Sequence, residues 1–173
     1  SFEDKLDRAI FRGDLTGKNN RVAFFRQFYG HPLCDLGEVT HRVTSNPLEW
    51  RRPKISLYAQ LNYKFIIALE GNDVASNLKW IMSSNSLAVM PRPTCETWFM
   101  EGTLIPNYHY VEIKSDYSDL EERLNYYIFH TEEAKQIIDH AHEYIDQFRD
   151  KKRELIISLL VMNKYFKMTG QTD

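Results

Sequence analysis

Three cations, Arg12, Lys18 and Arg21, flank a loop that carries Gly13 and Gly17 near the start of the chain. Beside a helix N-terminus such a set suits a diphosphate, because the cations neutralise charge while free backbone N–H groups donate to the oxygens. The same three residues also fit solvated surface charges, whose ion pairs contribute little. A second loop, Gly71-Asn72-Asp73, follows an apolar run at residues 65–69 and precedes Ala75, Leu78, Ile81 and Met82 at helical spacing. Strand, glycine loop and helix in that order aim amide groups at an anion, with Asn72 and Asp73 as cap candidates; a βαβ unit without any ligand has the same pattern. Residues 93–110 (PTCETWFMEGTLIPNYHY) combine aromatics with Glu96 and Glu101. A carboxylate there can hold ribose or sugar hydroxyls while Trp98 or Phe99 covers a ring, although a loop packed by its own side chains reads identically.

Other chemistries lack their signatures. The chain has no GxxxxGK[S/T] loop, no GxGxxG fingerprint of a dinucleotide dehydrogenase and no GxSxG elbow around Ser83, Ser84 or Ser86. Its histidines show no HExxH spacing, and His140 and His142, two apart, point to different faces of a helix. The acidic run Asp116, Asp119, Glu121 and Glu122 fits a helix start, and Lys151-Lys152-Arg153 a solvated helix face.

The elements that must position these residues alternate. Residues 8–12 read as a strand and 20–29 as a helix; 34–36 read as a short strand, and 39–53 as a long loop. Residues 56–63 read as a helix capped by Ser56, with strands at 65–69, 87–90 and 109–113. From Asp119 onward the periodicity is helical: a helix through Leu120 to Ile128, one opened by Thr131, and a last one over 151–168 stopped by Gly170. The fold class expected is therefore α/β, a Rossmann-like, mostly parallel open sheet with helices on both faces and a helical segment at 119–170. At 173 residues a single domain over 1–173 is the expectation.

A net charge of −2 argues against a chain built to hold nucleic acid electrostatically. Cys34 and Cys95 form no metal-ligand spacing, and two isolated cysteines fit a reducing compartment. No apolar run reaches the roughly 18 to 20 residues of a membrane span. A cytoplasmic location is the expectation, with peripheral association at the inner face of a membrane compatible with it.

Three segments, in order, resemble glycosyltransferase family 90, the group of capsule-associated and lipopolysaccharide-modifying transferases and protein O-glucosyltransferases. FRGDLTGKNNR, residues 11–21, is similar to the W/F-R-G-S/T-x-x-G-x-x-R loop; YKFIIALEGNDVASNLKWIMSSNS, residues 63–86, resembles the segment with G-x-x-A-S-x-x-x-K; ETWFMEGTLIPNYHYVEI, residues 96–113, resembles E-x-W/Y/F-x-x-x-L-x-P-x-x-HY-V/I. SDLEERL, residues 118–124, fits the helix that follows in relatives. The resemblance implies the C-terminal, donor-binding half of an inverting enzyme of GT-B architecture that needs no metal and no cofactor. It implies that Arg12, Gly13, Asp14 and Arg21 line the diphosphate and sugar, with Ala75, Ser76 and Lys79 at the phosphate-facing helix start and Glu96 near the nucleoside or sugar. Lys18 and Gly71 join that set from the two loops. Asp14 departs from the small hydroxyl residue of eukaryotic relatives, and Asn77 stands where many of them have arginine. The implied partners are a nucleotide-sugar donor, a UDP-sugar foremost, and a lipopolysaccharide or capsular glycan acceptor. The general base is expected from an N-terminal domain missing from these 173 residues, so transfer by this chain alone is not expected. A non-catalytic nucleotide-sugar-binding or glycan-assembly module is the competing reading.

Overall fold

The computed structural model describes residues 1–171. Five strands, β1 (Leu6–Gly13), β2 (Cys34–Glu38), β3 (Tyr63–Ile67), β4 (Leu87–Met90) and β5 (Val111–Glu112), form one sheet in the order β2-β1-β3-β4-β5. Every neighbouring pair is parallel, so the mostly parallel sheet expected from sequence is parallel throughout. The strand centres, Ala9–Phe11, Phe65–Ile67 and Leu87–Met90, are apolar because both faces are covered. On one face Ala9, Phe11, Phe65 and Ile67 pack with Phe24 and Phe25 of α1 (Asn19–Phe28) and Leu120 and Leu124 of α4 (Leu120–Phe129). On the other, Ile10, Ile66 and Ala88 meet Leu78, Ile81 and Met82 of α3 (Leu78–Met82). The long helix α5 (Thr131–Asp146) serves both: Ala134, Ile137 and Ile138 join the first cluster, Ala141 and Ile145 the second. Burying each large apolar side chain of these layers contributes roughly 1.5–3 kcal/mol.

Several boundaries differ from the sequence expectation. The helix read at 56–63 is one turn, α2 (Leu57–Gln60); its cap is as expected, the Ser56 hydroxyl accepting from the Ala59 amide at 3.1 Å. β3 then begins at Tyr63, two residues earlier than read, because it must pair with Leu6 of β1. Asn72 and Asp73 do not open α3, which starts at Leu78; residues 72–77 bridge strand and helix as an irregular segment. The strand read at 109–113 is ladder-paired at Val111–Glu112, while His109 turns its Nδ1 to the Ile105 amide. The loop at 39–53 contains a 3-10 turn, Leu48–Trp50, with Trp50 buried against Phe25 and Tyr29.

The last helix, α6 (Lys151–Met168), is capped as a helix should be: Asp150 accepts from the Lys152 and Arg153 amides, and Gly170 follows with φ +66°. Its apolar side chains nevertheless face water, with Leu155 60 % and Leu160 62 % exposed. The periodicity that predicts a packed face is present, but both sheet faces are already covered by α1, α3, α4 and α5. No helix among the described residues is long and apolar enough to cross a membrane.

Candidate functional site

β1 sends its chain toward β2 on one side, and β3 sends its chain toward β4 on the other. The carboxyl ends of β1 and β3 therefore diverge, which is where open parallel sheets leave a crevice for ligands. Arg21, in the first turn of α1, lies in that crevice. Its Nε donates to the Glu70 carbonyl (3.1 Å), Nη1 to the Asp14 carbonyl (2.9 Å) and Nη2 to the Leu69 carbonyl (2.7 Å). A single guanidinium thus ties the β1 loop to the β3 loop. Burial lowers its pKa while Asp14 and Tyr117 resist that shift, and an arginine stays charged throughout.

The neighbours of Arg21 are equally engaged. Gly71 has to be small: a Cβ there would sit 3.1 Å from both Arg21 Nη2 and Lys18 Cε. Lys18 donates to the Thr16 carbonyl at 3.0 Å and stands 4.0 Å from Asp14 Oδ2. The Asp14 carboxylate accepts from the Thr16 amide (2.9 Å) and hydroxyl (2.7 Å), so the departure from a hydroxyl residue here makes a turn of its own. Burial alone would raise the Asp14 pKa, but Thr16, Lys18 and Arg42 outweigh it and hold the group below the ordinary carboxylate range. Gly13 lies against Phe11 and Arg21, whereas Arg12 turns away toward β2, donating to the Asp35 carbonyl (2.8 Å) and carboxylate (2.7 Å). Asp35 is pushed up by burial and pulled further down by the Tyr63 hydroxyl and Arg12.

One strand over lies a cavity of about 290 Å³, at the carboxyl ends of β3 and β4. Ala68, Leu69, Val74, Ala75, Leu78, Met90, Pro91 and Pro93 give it an apolar lining, and Asn20, Glu70, Arg92, Thr94, Glu101, Ser115 and Tyr117 add polar atoms. Asn20 bridges crevice and cavity by donating to the Glu70 carbonyl at 2.9 Å. The Glu70 carboxylate holds the far rim, accepting from the Thr94 amide (2.8 Å), the Thr94 hydroxyl (2.5 Å) and the Cys95 amide (3.0 Å). Tyr117 on the wall has φ +64°, a left-handed conformation that costs about 1–2 kcal/mol for a non-glycine residue. It is kept there by 4 % exposure and an edge-to-face contact with Phe24.

Glu101 is 1 % exposed and charged: Lys79 Nζ donates to it at 3.1 Å, and the Thr97 amide at 2.7 Å. Burial pushes the Glu101 pKa up, and Thr97 and Lys79 more than reverse that. Lys79 also lies over the rings of Phe99 (5.0 Å) and Trp98 (5.5 Å). Asn77 donates to the Ile67 carbonyl at 3.0 Å, closing the end of β3. Ser76 and Glu96 are exposed, with the Glu96 carboxylate against Gly102.

Of the residues singled out from sequence, Ala75, Leu78 and Glu101 line the cavity; Gly13, Asp14, Lys18, Arg21 and Gly71 gather in the adjoining crevice, and Arg12 and Lys79 stand in ion pairs to either side. Asn20, Glu70, Arg92, Thr94 and Tyr117 escaped the sequence reading. The one signal pointing to them was position, directly after β3 and β4. Among the described residues no group of three or more His, Cys, Asp or Glu side chains is arranged to hold a metal ion.

Residues 1–169 match glycosyl transferase family 90. The chain belongs to that family. It is 44 % identical over 167 residues to O-glucosyltransferase LpsA of Dichelobacter nodosus, covering 96 % of this chain and 52 % of that protein. It is also similar to two uncharacterized viral proteins: 035R of Invertebrate iridescent virus 3, at 26 % identity over 88 % of this chain and 16 % of the relative, and 179R of Invertebrate iridescent virus 6, at 31 % over 87 % and 16 %. The chain therefore spans about half the length of LpsA and a smaller share of the viral relatives. The match runs through the whole α/β sheet and both loops of the crevice, so membership and geometry rest on the same residues.

Proposed function

We propose that this chain is the donor-binding part of an inverting, metal-independent glycosyltransferase of the GT-B type. Its donor would be a nucleotide-sugar, a UDP-sugar foremost, and its acceptor a lipopolysaccharide or capsular glycan. The name of the bacterial relative suggests glucose as the sugar transferred. The observation that carries the reading is the apolar cavity of about 290 Å³ beside the switch-point crevice, with hydrogen-bonding groups at its rim. An apolar slot with a few placed polar atoms suits a nucleoside, and the carboxyl edge of a parallel sheet is where such ligands lie.

In that reaction an acceptor hydroxyl oxygen bonds to the anomeric carbon while the carbon–oxygen bond to the diphosphate breaks, its electron pair leaving with the diphosphate. Fixed cations and oriented amides stabilise the charge that develops there. The hydroxyl proton goes to a base outside this chain. α1 contributes an uncapped N-terminus next to the cavity, since no side chain caps its first turn and no acidic residue occupies it.

A non-catalytic nucleotide-sugar-binding module is the second reading, motivated by Asp14 and Asn77. Both side chains are satisfied within the fold, Asp14 by Thr16 and Asn77 by the Ile67 carbonyl, so each departure has a structural role of its own. Calorimetric titration with UDP, UDP-glucose, UDP-galactose and a GDP-sugar tests donor binding. Selective UDP binding is expected; indifference to all of them by the folded chain would sink the proposal.

A further inference from the structure

The cations named from sequence have little left to offer a ligand. Arg12 is paired with Asp35, Arg21 has all three of its guanidinium nitrogens on backbone carbonyls, Lys18 is held by Thr16, and Lys79 is held by Glu101. Arg92 is different. It lines the cavity, it is exposed, and among the described residues it makes no hydrogen bond and no ion pair. Glu112, the acidic residue that shares Tyr110 as a neighbour with it, does not reach it either.

The backbone under Arg92 is held firmly for a residue whose side chain has no partner. Pro91 and Pro93 restrict φ on both sides of it, and the Glu70 carboxylate clamps the following Thr94 and Cys95 amides. A guanidinium presents donors in a flat fork that matches two phosphate oxygens. Asn20 in the first turn of α1 lines the same cavity, so the uncapped helix end and the guanidinium flank one space.

We infer that Arg92 is the residue that binds the phosphate groups of the cavity's ligand, and that Arg21 positions the loops without touching it. This rests on the nucleotide-sugar reading above. The test compares UDP, UMP and uridine by NMR-detected titration, which reads millimolar affinities, on the wild-type chain and on Arg92→Ala and Arg92→Lys. Arg92→Ala is expected to weaken UDP about tenfold or more, the size of one charge-assisted contact, while uridine changes less than about twofold. Arg92→Lys is expected to fall between, keeping the charge and losing the fork. An unchanged UDP affinity in Arg92→Ala overturns the inference, and so does an equal loss for UDP and uridine, which would place the side chain on the nucleoside. Wild-type chain that binds none of the three removes the nucleotide reading itself, a result distinct from a variant that binds as well as wild type.

Discussion

The crevice between β1 and β3 and the cavity beside it share a wall, yet they use charge in opposite ways. In the crevice the guanidinium of Arg21 is turned inward, joining two loops through three carbonyls. At the cavity the guanidinium of Arg92 is turned outward with its donors unused. The same side chain type therefore builds the site in one place and is available to a ligand in the other, and proximity to a glycine loop does not say which. What separates them is the supply of backbone acceptors: strand ends that diverge leave carbonyls unpaired, and a nearby arginine is drawn to them before any ligand arrives.

The sharpest way to break that contrast is Arg21→Ala. The Asp14 and Leu69 carbonyls lose their donor and the Glu70 carbonyl keeps only Asn20, so a loss of about 2–4 kcal/mol in urea-unfolding stability is expected. A variant that unfolds like wild type would show that Arg21 is not structural. Next in size is Glu101→Gln, which leaves Lys79 without its buried partner at a cost of about 1.5–3 kcal/mol. This one carries a pH signature. The folded-state pKa of Glu101 lies below its ordinary value, so its stabilisation is complete above the unfolded carboxylate pKa and disappears as pH falls through the folded one. Wild type should lose stability below about pH 4.5, and Glu101→Gln should lose less over the same window; parallel acid limbs would contradict the assignment.

Gly71→Ala follows, with an expected loss near 1 kcal/mol or less, because its new Cβ meets the mobile ends of Lys18 and Arg21, which can give way by a few tenths of an ångström. A loss of several kcal/mol would mean the crevice is more rigid than its flexible side chains suggest. Last, Arg92→Ala should shift the unfolding midpoint hardly at all, within about 0.5 kcal/mol, as an exposed and unpaired side chain implies. Set beside Arg21→Ala, that null effect is the other half of the comparison.

The centre of the sheet was readable because β3 and β4 lie on apolar runs that a glycine or proline closes at Gly71 and Pro91, and β4 falls on the residues that periodicity selects. Helix starts were less so. Asn72 and Asp73 have cap chemistry, but residues 74–77 are drawn onto the end of β3 by the Asn77 bond to the Ile67 carbonyl, and α3 begins after it. Charge in the crevice was legible as composition and not as direction. Arg12 looks like a ligand-binding cation in the sequence because the residue that neutralises it, Asp35, lies on a neighbouring strand 23 positions away. Glu70 and Arg92 carry no motif of their own; their importance comes from the order of strands, which only the fold displays.

α6 leaves nine large apolar side chains in contact with water, from Leu155 to Met168. Colloidally, that is the surface of an amphiphile: the energy of keeping it hydrated falls whenever any apolar surface is at hand, whether a vessel wall, a detergent micelle or another macromolecule. Low protein concentration and mild detergent are therefore the solution conditions in which the ligand-binding properties of the sheet can be read without interference from its last helix.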